Sequence, residues 1–279
     1  MSRTRATTTG TSDTSHSTAH RDAHTPGGAD ALWAGDGELA RSLAVEAGEV
    51  LMQIRRGGFT GDGLKAAGDA GSQAVLARRL DDDRPDDAVL SEEAPDDPAR
   101  LTASRVWIID PLDGTREFSE PGRIDWAVHV ALWAGGDLVA GAVAMPADGI
   151  CYCTASPPEP PVREPGPLRL AVSRTRPPAF VAELATRLGA VLVPMGSAGV
   201  KCASVWRGET DAYVHAGGQF EWDSAAPVAV ARAAGLHTSR IDGSPLVYNQ
   251  ADPRLPDLVV CRPELADTIV SATAALAQG

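Results

Sequence analysis

The sequence has no surplus of positive charge: Lys and Arg number 25 against 37 Asp and Glu, leaving a net charge of −12. Gripping a nucleic-acid backbone takes a basic track, so the balance argues against a polymeric nucleic-acid partner. Cysteine is scarce, with Cys151, Cys153, Cys202 and Cys261 alone in 279 residues and no Cys-x-x-Cys pair among them. That spacing argues against a structural zinc site or a redox dithiol. No signal peptide is expected, and the thiols read as reduced, in a cytoplasmic protein. No window approaches the ~18 apolar residues of a membrane helix, so no membrane partner is expected. The remainder is ordinary for a globular chain, at 43% hydrophobic and 22% charged. It suffices for one large α/β domain or two lobes sharing a sheet. An acidic protein can still handle a small anion when divalent cations stand between the two.

Residues 1–30 are rich in Ser, Thr, His, Gly and Ala without apolar periodicity, which predicts a disordered tail. Three of the six histidines (His16, His20 and His24) lie there. Order is expected from about Asp36, where Leu39, Leu43, Ala47, Val50, Leu51 and Ile54 recur at helical spacing up to Gly57-Gly58. A second helix reads over Ala70–Leu80. Short strands follow at Ala88–Ser91 and Val106–Ile109, and a meander over Trp126–Thr154. The proline-rich stretch 157–167 reads as a linker between an N-terminal lobe (31–156) and a C-terminal lobe (168–279). In the latter, strand-like and helix-like stretches alternate, an α/β pattern.

The chemistry concentrates in acidic segments. Asp110 and Asp113 flank Pro111-Leu112 directly after an apolar strand, and Pro111 stops that strand by fixing its φ. The chain must turn there, so both carboxylates can face one point with the Leu112 carbonyl between them, an oxygen set suited to Mg²⁺. Gly114 permits the turn, and the amides of Gly114 and Thr115 can hold a phosphate if they open a helix. Glu92, ending the preceding strand, adds a carboxylate if the two strands pair. Asp223 stands where a helix should start and reads equally as an N-cap. An acidic turn is the bland alternative for Asp110 and Asp113.

Trp107 to Thr115, in which Asp110-Pro111-Leu112-Asp113-Gly114-Thr115 is embedded, resembles the signature of the inositol monophosphatase-like superfamily. Ser91-Glu92-Glu93 is similar to its Gly-Glu-Glu motif, and Trp222-Asp223-Ser224-Ala225-Ala226 to its Trp-Asp-x-Ala-Ala motif. Gly68-Asp69 before Gln73, with Gly196-Ser197 before Lys201, resembles the bacterial 3′(2′),5′-bisphosphate nucleotidase branch, the CysQ type. So do Arg116-Glu117-Phe118 and His215-Ala216-Gly217-Gly218. The resemblance runs from about Asp36 to the C-terminus.

It implies an α/β fold layered as an αβαβα sandwich, with mixed sheets between helix layers. It implies a Mg²⁺-dependent phosphomonoesterase acting on 3′-phosphoadenosine 5′-phosphate, and on its 5′-phosphosulfate, in sulfate assimilation. Inositol-1-monophosphatase or fructose-1,6-bisphosphatase is the alternative. Two Mg²⁺ are implied, and a third is allowed. Glu92, Asp110 and the Leu112 carbonyl would hold one, and Asp110, Asp113 and Asp223 the other. Asp69, with Thr115 as relay, would polarise the attacking water, while Gly114 and Thr115 receive the departing phosphate. Arg116, Ser197, Lys201 and Glu221 become candidate contacts to the nucleotide. One departure stands out: Leu64-Lys65-Ala66-Ala67 replaces the Ser-Pro-Val-Thr stretch that in the family precedes Asp69 and helps hold the third metal. A monomer or homodimer is expected.

Overall fold

A computed structural model describes residues 28–277, with side chains described over 35–276. The expected tail lies outside the described residues up to position 27. Helix α1 spans Gly28–Arg56, so helix begins ahead of Asp36. Its Ala40, Leu43, Ala44, Ala47 and Leu51 are fully buried, the face that the helical spacing specifies. Helix α2 covers Gly61–Asp83, well ahead of the start at Ala70 that apolar spacing suggests. Its first turns carry one buried apolar side chain, Leu64, so periodicity has little to register there. Thr60 supplies an extended N-cap, Asp62 sits in the first turn, and Lys65 pairs with Asp62 at 2.9 Å. Leu64-Lys65-Ala66-Ala67 is therefore helical.

The first sheet comprises β1 (Ala88–Ser91), β2 (Arg105–Asp113), β3 (Ala127–Ala134), β4 (Asp137–Met145) and β5 (Ile150–Cys153), in that spatial order. β1 and β2 are parallel and the remaining pairs antiparallel. A short helix, α3 (Thr115–Ser119), follows β2. Residues 157–167 contain no helix or strand.

The second sheet has the order β7-β6-β8-β10-β9. Its strands are β6 (Arg169–Ser173), β7 (Val191–Met195), β8 (Ala212–Phe220), β9 (His237–Ser239) and β10 (Arg254–Cys261). The helices of this half are α4 (Ala179–Leu188), α5 (Ala198–Trp206), α6 (Glu221–Ala233) and α7 (Ala266–Ala277). Three apolar cores define the layers. One joins α1 and α2 to the first sheet, a second joins both sheets through α5 and α6, and a third joins α4 and α7 to the second sheet. The result is the αβαβα sandwich with mixed sheets between helix layers. Strand β9 carries only three residues and no apolar alternation, which hid it from the pattern.

All four cysteines are free. No helix among the described residues is long and apolar enough to cross a membrane.

Candidate active site

Both faces of β2 are buried, which is why its sequence reads as a continuous apolar run. Trp107 and Ile109 face α1 and α2, while Val106 and Ile108 face the inner helices. The period of two puts Asp110 on the inner side, toward α6. Pairing with β3 holds to Asp110 opposite His129 and resumes at Asp113 opposite Ala127. The extra residue forms a bulge, and the bulge is what re-aims the acidic end of the strand. The Leu112 amide donates to Asp110 Oδ1 at 3.0 Å, and Ser72 of α2 donates to the Pro111 carbonyl at 2.6 Å. Gly114 adopts φ +86 as the N-cap of α3; an added Cβ would press on Ser197 Cβ and the Asp125 carbonyl.

The carboxylates arrive from three directions. Parallel pairing sets Ser91 beside Ile109, so Glu92 emerges next to Asp110 and the two carboxyls share a hydrogen bond. Asp223 is the third residue of α6 and accepts the Phe220 amide at 2.7 Å through Oδ2. One oxygen from each of Asp110, Asp113 and Asp223 lies within 4.8 Å of the others. These groups form the floor of an open cleft of about 690 Å³.

Crowding of like charge shows in their protonation. Burial pushes Asp110 well above the carboxylate range, and Glu92, Asp113 and Asp223 add to the shift. Burial, with Asp113 next, raises Asp223 to about 7. Glu92 also rises to about 7, through burial and the charge of Asp113. The Glu92 residue as a whole is exposed, but the surface it shows is the concave wall of the cleft, where protein surrounds the carboxyl. An oxygen-only cluster that holds protons for want of positive charge fits a hard divalent cation.

Asp113 is anchored separately. Its Oδ2 accepts the Ser197 hydroxyl and the Gly199 amide (2.7 Å), and His129 Nε2 lies 3.3 Å away.

The structure sorts the sequence-derived candidates. Glu92, Asp110, Leu112, Asp113 and Asp223 line the cleft together with Gly114, Thr115, Arg116, Ser197 and Lys201. Asp69 does not line it. It sits within α2, half-buried, raised to about 6 by burial and by Glu93, and its charge is felt at Glu92. The Thr115 hydroxyl donates to the Leu112 carbonyl at 3.2 Å, and no hydrogen bond joins it to Asp69.

Glu221 is not among the residues that line the cleft. Its buried carboxylate accepts the Asn249 (2.6 Å) and Gln250 (2.8 Å) amides, which ties a loop to α6. Ser197 and Lys201 reach the cleft wall, but their polar atoms are engaged. The Ser197 hydroxyl serves Asp113, and the Lys201 ammonium donates to the Gly196 and Ser197 carbonyls.

Arg116 is exposed at the rim, and Arg176, which sequence reasoning missed, lines the same rim from the β6–α4 loop. Among the described residues neither guanidinium has an ion-pair or hydrogen-bond partner. By contrast, Arg174 is neutralised by Glu117 and Glu120, and Arg123 by Asp125. No sequence signal marks Arg176, because only the packing of the second sheet brings its loop to the rim. His129 was equally hidden, as one polar residue in an apolar strand.

Comparison with known proteins agrees with this geometry. Residues 37–277 match the inositol monophosphatase family. A 3′-phosphoadenosine 5′-phosphate phosphatase of Mycobacterium bovis is 54% identical over 239 residues, 82% of this chain and 90% of the relative. The 3′(2′),5′-bisphosphate nucleotidase CysQ of Escherichia coli K12 is 31% identical over 224 residues, 74% of this chain and 91% of that one. In structure, CysQ from Bacteroides thetaiotaomicron superposes with a TM-score of 0.71 at 25% identity, covering 82% of this chain and 97% of the other.

Proposed function

The chain belongs to the inositol monophosphatase family, and from that premise we propose that it removes the 3′-phosphate of 3′-phosphoadenosine 5′-phosphate, with Mg²⁺ as its cation. The 5′-phosphosulfate of the same nucleotide is the second substrate in this reading, which places the reaction in sulfate assimilation. The observation that carries it is a cleft with two opposite ends. Its floor gathers buried carboxylates, and its rim holds the guanidiniums of Arg116 and Arg176, which have no partner among the described residues. A substrate bearing two phosphates answers both ends, one through cations and the other directly. The identity to the mycobacterial phosphatase supports the choice of nucleotide.

Glu92, Asp110, Asp113, Asp223 and the Leu112 carbonyl would hold two cations. Bound there, Mg²⁺ supplies charge stabilisation to the phosphoryl oxygens and a lowered pKa to the attacking water. The protein's share is positioning. The bulge after Asp110 fixes where the floor carboxylates point, and the Gly114 and Thr115 amides meet the phosphate at the start of α3. Asp69, raised to about 6, is matched to accepting a proton near neutrality. Arg116 and Arg176 orient the distal phosphate by charge-assisted hydrogen bonds.

Phosphate release with Mg²⁺, compared by kcat/KM on 3′-phosphoadenosine 5′-phosphate, inositol 1-phosphate and fructose 1,6-bisphosphate, tests the assignment. The nucleotide is expected to be the best of the three. A rate lower on the nucleotide than on both others removes it.

A further inference from the structure

We propose that Ser197 is a positioning residue that commits the Oδ2 atom of Asp113 to the protein, leaving Oδ1 to the cation, and so sets how tightly the acidic floor binds a divalent ion. The proposal rests on the reading of Asp113 as a cation ligand.

The backbone of Ser197 is the first observation. It holds φ +51 and ψ 139 as the N-cap of α5, a conformation almost reserved to glycine. Strain of this kind persists only where neighbours over-determine it. Asp125 Oδ2 accepts the Gly196 amide at 2.6 Å, the Lys201 ammonium grips the Gly196 and Ser197 carbonyls, and the Ser197 hydroxyl accepts the Val200 amide at 3.0 Å. Glycine would sit there without strain. What it lacks is the hydroxyl, and that hydroxyl donates to Asp113.

His129 is the second and comes from another element. Its ring is fully buried in β3. A carbonyl only accepts, so the contact of Nδ1 with the Trp222 carbonyl at 3.1 Å places a proton on Nδ1. The other edge of the ring points at Asp113, where Nε2 has no hydrogen-bond partner and stands 3.3 Å from Oδ2. One ring thus spans from Asp113 to the backbone immediately before Asp223. The packing around it is closed, since a Cβ on Gly199 would lie 2.0 Å from Nε2, and the Gly199 amide serves the same carboxylate oxygen. The Ser197 hydroxyl and the Gly199 amide, both at the start of α5, donate to one oxygen and fix the rotation of the carboxylate, and with it the aim of the other oxygen. The buried imidazole packs against that oxygen without donating to it.

Groups that orient a metal ligand typically change metal affinity about 10- to 100-fold when removed. The test is calorimetric titration of Mg²⁺ into the chelator-stripped full chain, with thermal melts to verify folding. Ser197→Ala and Ser197→Gly are each expected to weaken Mg²⁺ binding by about tenfold or more. The glycine variant folds without strain at this position, so it stands in if the alanine variant does not fold. Wild-type Mg²⁺ affinity in these variants overturns the proposal. If a raised substrate KM accompanies it in the Ser197 variants, Ser197 belongs to the nucleotide instead. Asp113→Asn separates the two claims. If it binds Mg²⁺ as the wild type does, the ligand reading of Asp113 fails. If it alone loses Mg²⁺, only the brace fails.

Discussion

On the floor of the cleft, Asp110 and Asp113 are buried, and Asp223 is half-buried and tied to the Phe220 amide. At the rim, Arg116 and Arg176 are exposed and have no partner among the described residues. The floor concentrates one sign of charge under desolvation, an arrangement that is unfavourable until a cation enters. The rim leaves the other sign free in water, where it adapts to whatever anion arrives. Changes to the floor should therefore fall on turnover, and changes to the rim on substrate affinity.

The sharpest test of that division is Asp110→Asn. It removes a charge from the most desolvated point of the floor, and kcat at saturating Mg²⁺ should fall by roughly 10³-fold or more. Near-wild-type turnover would break the comparison outright. Next in size, Arg176→Ala and Arg116→Ala should each raise KM for the bisphosphate by about tenfold, the worth of one charge-assisted contact, with kcat little changed. A monophosphate substrate should feel neither, and an equal loss on inositol 1-phosphate would show that the rim is not read by the second phosphate.

A smaller effect concerns the floor without its cation. The folded-state pKa values of Glu92 and Asp223 are raised to about 7 from ordinary values of 4.5 and 3.8. Between about pH 4 and pH 7 the native state therefore holds protons that the unfolded chain has released. Stability of the chelated protein should fall across that window as pH rises, by a few degrees in Tm. Added Mg²⁺ should reverse the loss above pH 7. Melts at about pH 5.5 and about pH 8, with chelator and with Mg²⁺, check the sign; a chelated protein more stable at the higher pH would refute it. Smallest of all on catalysis, Glu221→Gln should leave kcat within about twofold while costing roughly 1 kcal/mol in a urea melt. It weakens two buried hydrogen bonds and touches neither floor nor rim.

How much of this was legible follows the same division. The floor was, because Asp110, Asp113, Glu92 and Asp223 sit near element ends: the end of β2, which Pro111 was expected to stop but only bulges, since the strand runs on to Asp113; the end of its neighbour β1; and the start of α6. The α/β character of the second half was equally plain in the alternation of apolar runs, whereas the layering was implied only by the family resemblance. The N-terminal turns of α2 were not, because their buried contacts are made by small residues such as Gly68, packed against Leu112 and Phe118. The work of Ser197 was hidden too. Its motif suggested a nucleotide contact, while the hydrogen bond that occupies it crosses 84 positions of chain to Asp113. Arg176 carried no local mark at all.

The fit between His129 and Gly199 constrains how such a site can diverge. A side chain at position 199 has no space while the imidazole is in place, since even a methyl group would lie 2.0 Å from Nε2. Any lineage that enlarges position 199 must first replace the histidine. Position 129 can shrink with glycine still opposite it, at the cost of a small void. The two sites are therefore epistatic with a direction: histidine must leave first and arrive last. A chimera that imports either residue from a relative should import both.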